Sequence, residues 1–208
     1  MTQYIYLIDD EAAIRSSLSA LLGTVGWQTQ AYDSAPSFEQ SVGELHALTG
    51  CMLLDIRMPG KTGLTLLDEW RRQGLEIPVI IMTGHANIDL CRRAFKNGAF
   101  EFLTKPIDAD LLFEVVGSAL EQQRQLQQRQ RQRQLRLMQS RLATLTAREN
   151  DVFEQIVQGR SSKEIARSFS LSPRTVEAHR ANIFAKLDVN SLPKLMNVYG
   201  ELALRKKP

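Results

Sequence analysis

At 208 residues, with 43% hydrophobic and 24% charged side chains, the chain can bury one large or two small cores and has the composition of ordinary soluble globular protein. Its apolar stretches are strand-sized and no charged-then-apolar leader opens it, which excludes a membrane span and a secretory signal, and two cysteines without CxxC spacing exclude a disulfide framework. The net charge of +3 conceals a division: residues 1–120 hold 9 Lys/Arg against 15 Asp/Glu and residues 121–208 hold 17 against 8, so two different partners are expected, nucleic acid for the basic half.

Through residue 120, strand-like and helix-like segments alternate. Tyr4–Ile8 reads as a strand running into Asp9-Asp10, and Ile14, Leu18, Leu21, Leu22 and Val25 then recur at helical spacing until Gly26. Trp27–Tyr32 reads as a second strand, Ala35–Leu48 as a helix, and Cys51–Asp55 as a third strand. Cys51 is expected to pack as a small apolar residue in a reducing cytoplasm. A helix with Leu64, Leu67 and Trp70, a strand after Pro78, a helix with Leu90, Ala94 and Phe95, a strand over Phe100–Thr104 and a helix after Pro106 complete five βα units. Near-continuous apolar strands predict a five-stranded parallel sheet, doubly wound, with helices on both faces.

Residues 121–142 are rich in Gln and Arg, with no Gly or Pro, and predict a basic helical linker continuing the preceding helix; a disordered tether is the alternative. Residues 143–208 predict a small all-α domain of four helices. Thr146–Glu149 and Ser161–Glu164 have capping-box spacing, Ser172 with Pro173 opens a helix running to Leu187, and Ser191-Leu192-Pro193 opens the last. A short helix, a turn over Ser170–Ser172 and a longer helix make a helix-turn-helix.

Four strand ends carry the chemistry: Asp9-Asp10, Asp55, Thr83 and Lys105. In a parallel sheet these converge at the carboxyl edge, where ligands of open α/β sheets bind. Crowded carboxylates require a cation. Mg²⁺ suits a few carboxylates, waters and a phosphate, Lys105 and Thr83 supply a charge and a hydroxyl to phosphate oxygens, and Asp55 is free to act as nucleophile. The runs Ile8–Glu11, Leu54–Gly60, Met82–Gly84 and Leu103–Pro106 resemble a response-regulator receiver over roughly residues 3–120. The resemblance implies a flavodoxin-like fold and phosphoryl transfer from the phosphohistidine of a sensor histidine kinase to Asp55. It implies Mg²⁺ on Asp10, Asp55 and the Arg57 backbone carbonyl, with Asp9 acting through water. Thr83 and Phe102 take the two switch positions, and Lys105-Pro106 the cis peptide bond. Many receivers carry Tyr where this chain has Phe102, so output here rests on ring packing.

On the helix Pro173–Leu187, Val176, Ile183 and Leu187 share the inward face. Opposite lie Arg174, Glu177, Ala178, Ala181, Asn182 and Ala185. Three alanines on an outward face fit close approach to a DNA groove, although alanine also simply favours helix. Thr175, His179, Arg180 and Lys186 flank that face and are expected to reach phosphates. Leu145–Glu149, Lys163–Ala166 and Ser172–Ile183 resemble the LuxR-type helix-turn-helix, and the whole chain resembles the FixJ/NarL response regulators, nearest the FixJ branch. That implies a transcription regulator that dimerises on phosphorylation and binds double-stranded promoter DNA, with Glu177, Ala178 and Ala181 towards the bases and RNA polymerase as a further candidate partner. The arginine-rich linker departs from the pattern. Two other functions fit parts of the sequence. A Mg²⁺-dependent phosphohydrolase would use Asp55 but usually has an acid where Arg57 stands; a phosphate-independent DNA-binding protein would leave the acid, Thr and Lys set without purpose.

Overall fold

The computed structural model describes residues 3–85 and 87–204. The chain divides into two compact units, residues 1–128 and 129–208.

In the first unit β1 (Tyr4–Ile8), β2 (Gln28–Tyr32), β3 (Gly50–Asp55), β4 (Val79–Thr83) and β5 (Glu101–Thr104) form one parallel sheet in the order β2-β1-β3-β4-β5. The connecting helices are α1 (Ala12–Thr24), α2 (Ala35–Ser41), α3 (Gly63–Arg72) and α4 (Ile88–Lys96), and α5 (Ala109–Leu142) follows β5. This is the doubly wound, flavodoxin-like order, in which the chain reverses direction across the sheet at β1/β3. The two faces of the sheet separate by the two-residue period of a strand. Tyr6, Ile8, Met52, Leu54, Val79 and Ile81 pack with Phe38, Leu67, Trp70 and Ala94. The alternate residues Ile5, Leu7, Cys51, Leu53, Ile80 and Met82 pack with Leu18, Leu22, Leu112 and Val116. Phe38 is the hub of the first face, its ring 5.9 Å from Tyr6, 5.4 Å from Tyr32 and 5.0 Å from Trp70. Cys51 is a free, buried thiol, its pKa pushed up to about 12 by burial.

The helix expected over Ala35–Leu48 is shorter. α2 stops at Ser41, Val42 is extended, and a 3₁₀ turn at Leu45–Ala47 leads into β3. Val42 and Leu45 continue the apolar period and pack against the same core as Phe38, but β-branched Val42 and Gly43 are poor helix residues, so the helix ends before them. Trp27 likewise precedes β2, packing edge-on to Phe113 at 6.1 Å.

α5 is a single helix of 34 residues that includes the Gln/Arg-rich stretch. In the second unit α6 (Ala147–Val157), α7 (Ser162–Ser168), α8 (Pro173–Leu187) and α9 (Leu192–Leu204) surround Val152, Phe153, Ile156, Ile165, Val176, Ile183, Leu187 and Leu195. Both capping boxes close, with Thr146 Oγ1 accepting from the Glu149 amide and Ser161 Oγ from the Glu164 amide. Ser172 caps α8, whose C-cap Asp188 takes the left-handed conformation, φ 55°. The α7–α8 turn is clamped by Arg148, which lies 4.4 Å over the Phe169 ring and donates to the Phe169 carbonyl at 3.2 Å.

Candidate functional site

Parallel pairing with Ile8 opposite Leu54, Asp55 opposite Met82 and Thr83 opposite Thr104 ends β1, β3, β4 and β5 at one edge. Asp9 and Asp55 follow there, 0% and 3% exposed, while Asp10 is exposed. Carboxylate oxygens of Asp9, Asp10 and Asp55 all lie within 4.8 Å of one another. Lys105 reaches over from the end of β5, Nζ lying 2.7 Å from Asp9 Oδ2, 3.1 Å from Asp55 Oδ1 and 3.4 Å from Glu11 Oε1. The Lys105-Pro106 peptide bond is cis.

The two buried carboxylates, Asp9 and Asp55, are each held by backbone. The amide of Glu11 donates to Asp9 Oδ1 at 2.9 Å, and the amide of Arg57 donates to Asp55 Oδ2 at 2.9 Å. Arg15 on α1 donates to the Asp9 carbonyl at 2.6 Å, tying the helix to the end of β1. Burial pushes the Asp55 carboxyl above its usual range against the pull of Lys105, and the neighbouring charge of Asp9 pushes the same way. Burial pulls the Lys105 ammonium down, but its bonds to Asp9 and Asp55 more than offset this and its pKa is raised. The pocket therefore has more buried negative charge than its one lysine neutralises, which fits a divalent cation.

Thr83 is fully buried, and its hydroxyl accepts from the His85 amide at 3.3 Å. Phe102 is half-buried against the α2–α4 face of the sheet. Sequence reasoning passed over Gly63. A Cβ there would overlap the Asp55 carbonyl oxygen and stand 3.1 Å from Ile56 Cα, and the Gly63 amide donates to the Ile56 carbonyl at 2.9 Å. The first turn of α3 thus lies directly against the backbone that carries Asp55. A glycine at the start of a helix whose N-cap is Thr62 was the available signal.

On α8, Val176, Ile183 and Leu187 are buried, and Arg174, Thr175, Glu177, Ala178, Ala181, Asn182 and Ala185 are exposed. The flanking residues are less free. Thr175 Oγ1 shares a 2.7 Å hydrogen bond with the capping Ser172 hydroxyl. His179 is half-buried, and the Arg180 guanidinium lies 5.8 Å from the Phe184 ring and 3.8 Å from Glu177. Lys186 donates to Glu149 Oε2 at 2.6 Å and to the Thr144 carbonyl at 3.2 Å, so it ties α8 to the start of α6. That bond, with those from Thr146, holds the Glu149 pKa down to about 2.

Residues 5–117 match the response regulator receiver domain family, and residues 143–199 match the luxR family of bacterial regulatory proteins. The chain is 38% identical to the transcriptional regulatory protein FixJ of Bradyrhizobium diazoefficiens, covering 94% of this chain and 93% of that protein. It is 35% identical to the transcriptional regulatory protein TdiR of Thauera aromatica, covering 93% and 83%. Among solved structures, full-length FixJ from B. japonicum aligns over 100% of both chains at 36% identity with a TM-score of 0.55. The response regulator StyR aligns over 97% of this chain and 100% of its own at 30% identity with a TM-score of 0.61.

Proposed function

This chain belongs to the FixJ-like two-component response regulators, which join a receiver to a LuxR-type DNA-binding domain, and from that premise we propose that phosphorylation of Asp55 by a sensor histidine kinase switches promoter binding by α8. The observation that carries this reading is the buried Asp55 carboxylate with Lys105 Nζ at 3.1 Å and two further acids beside it. An Asp55 oxygen attacks the phosphorus of the phosphohistidine. The new O–P bond forms as the N–P bond breaks, and the leaving imidazole takes up a proton. Lys105 is placed to neutralise a phosphoryl oxygen, and the Arg57 amide orients the attacking carboxylate.

Asp10, Asp55 and the Arg57 carbonyl would hold Mg²⁺, with Asp9 acting through water. When bound, the ion neutralises the clustered carboxylates and the charge developing on the transferring group. A phosphoryl oxygen accepts from the Thr83 hydroxyl and draws it inward, and Phe102 repacks into the space released. The receiver then pairs with a second copy and presents two α8 helices to half-sites about one DNA turn apart. Arg174, Glu177, Ala178, Ala181 and Asn182 face the bases, and Thr175, His179 and Arg180 lie beside the phosphates. Lys186 does so only by releasing Glu149. The relatives are transcriptional regulators rather than enzymes in the usual sense; the chemistry assigned here is the receiver's own phosphotransfer and dephosphorylation. The setting is the bacterial cytoplasm, with RNA polymerase as the further partner of the bound dimer.

Labelling with acetyl phosphate and Mg²⁺, read together with DNA footprinting, tests the reading. The wild type should take up phosphate and extend its footprint, and Asp55→Asn should do neither. Equal DNA affinity with and without the phosphodonor would overturn it.

A further inference from the structure

The stretch Glu121–Leu142 carries six arginines and one acid, Glu121. Glu121 is already used by Arg124 at 2.8 Å, and Arg141 pairs with Asp188 at 2.8 Å. Among the described residues, Arg129, Arg131, Arg133 and Arg136 are exposed and meet no carboxylate. At about 100° per residue, Arg129, Arg133 and Arg136 fall within a sector of about 60°. Met138 and Leu142, which pack into the core of the second unit, point the opposite way. With a rise of about 1.5 Å per residue the three guanidinium groups span about 10 Å of one helix face. Cations three and four residues apart repel one another on a helix, and no neighbouring acid relieves them. Such a column is a poor solvated face and a good match for a line of phosphates, which DNA presents every ~3.4 Å of axis along each strand.

The position of the column adds to the match. Residues from Arg129 onward belong to the same compact unit as α8. Arg141 donates to the Leu187 carbonyl at 3.5 Å and to Asp188, and Lys186 donates to the Thr144 carbonyl. The basic end of α5 therefore leaves the domain beside the C-terminal end of α8.

Resting on the DNA-binding reading above, we propose that Arg129, Arg133 and Arg136 form a second, sequence-independent DNA contact, in which the linker helix lies along the phosphate backbone next to the site held by α8. Phosphate contacts position a protein without specifying sequence and release counterions. The test is the salt dependence of affinity for a random-sequence duplex, measured with the full chain in the presence of acetyl phosphate and Mg²⁺. R129Q/R133Q/R136Q should flatten the slope of log K against log salt by about 2.7, at about 0.9 per phosphate. The wild type would then lose about 40-fold more affinity than the variant between about 50 and 200 mM salt. R129K/R133K/R136K should keep the wild-type slope. If the triple Gln variant loses helix by circular dichroism, each single Arg→Gln change should flatten the slope by about 0.9. A slope unchanged in folded Gln variants overturns the proposal and leaves the DNA-binding reading standing, whereas wild-type protein that binds no duplex at any salt overturns that reading.

Discussion

Glu149 offers the sharpest quantitative test of how the recognition helix is held. One oxygen, Oε2, accepts from the Thr146 amide at 2.8 Å, the Thr146 hydroxyl at 3.0 Å and Lys186 Nζ at 2.6 Å, and the side chain is 6% exposed. Glu149→Gln keeps the shape and removes the charge. Lowering the carboxyl from 4.5 to about 2 corresponds to roughly 3 kcal/mol at ~1.4 kcal/mol per unit. The Lys186 side chain is 35% exposed, and solvent screening reduces the expected loss to about 2 kcal/mol. For a unit of this size that is a fall of about 10 °C in the second unit's melting transition at neutral pH. A depressed carboxyl stabilises above its unfolded pKa and loses that contribution as pH falls through its folded value. The gap between wild type and variant should therefore be constant above about pH 5, shrink by more than half by about pH 3, where the unfolded carboxyl is protonated and the folded one still charged, and close only below about pH 2. Differential scanning calorimetry of the full chain against pH reads both quantities. A variant melting within a degree or two of wild type at pH 7, or a gap that does not close in acid, would refute the reasoning. In a double-mutant cycle with Lys186→Met, the two losses should be strongly non-additive.

Lys105→Met leaves Asp9 and Asp55 uncompensated and should destabilise the first unit by about 3–5 kcal/mol in urea unfolding at neutral pH. Because the Asp55 pKa is already raised by burial and rises further without the lysine, the folded form binds the extra proton and the deficit should narrow as pH falls. Gly63→Ala forces the start of α3 off the Asp55 carbonyl, costing about 1–3 kcal/mol; acetyl phosphate labelling should slow by tenfold or more as the nucleophile is displaced. Mg²⁺ at about ten times its dissociation constant should stabilise the first unit by about 1.4 kcal/mol, and Asp10→Asn should remove most of that increment in thermal melts.

Much of this protein is legible in short stretches of its sequence. Capping boxes at Thr146–Glu149 and Ser161–Glu164, the Ser172-Pro173 start of α8 and the two-residue alternation of Cys51–Asp55 are local devices. Each acts over a few residues, so reading the sequence recovers it. The five residues at the four strand ends are equally legible, because parallel strands separated by helices place their carboxyl ends at one edge. Tertiary structure decided what those local signals could not. Glu149 was readable as half of a capping box, but its partnership with Lys186, 37 residues away, turned a residue expected to reach phosphate into an anchor of α8. Gly63 carries no chemistry in sequence, and its importance comes from how closely α3 approaches the Asp55 backbone. The surplus of negative charge around Lys105 likewise follows from three distances across β1, β3 and β5. Local propensity sets which element forms, whereas charge balance and close packing depend on groups brought together from distant parts of the chain.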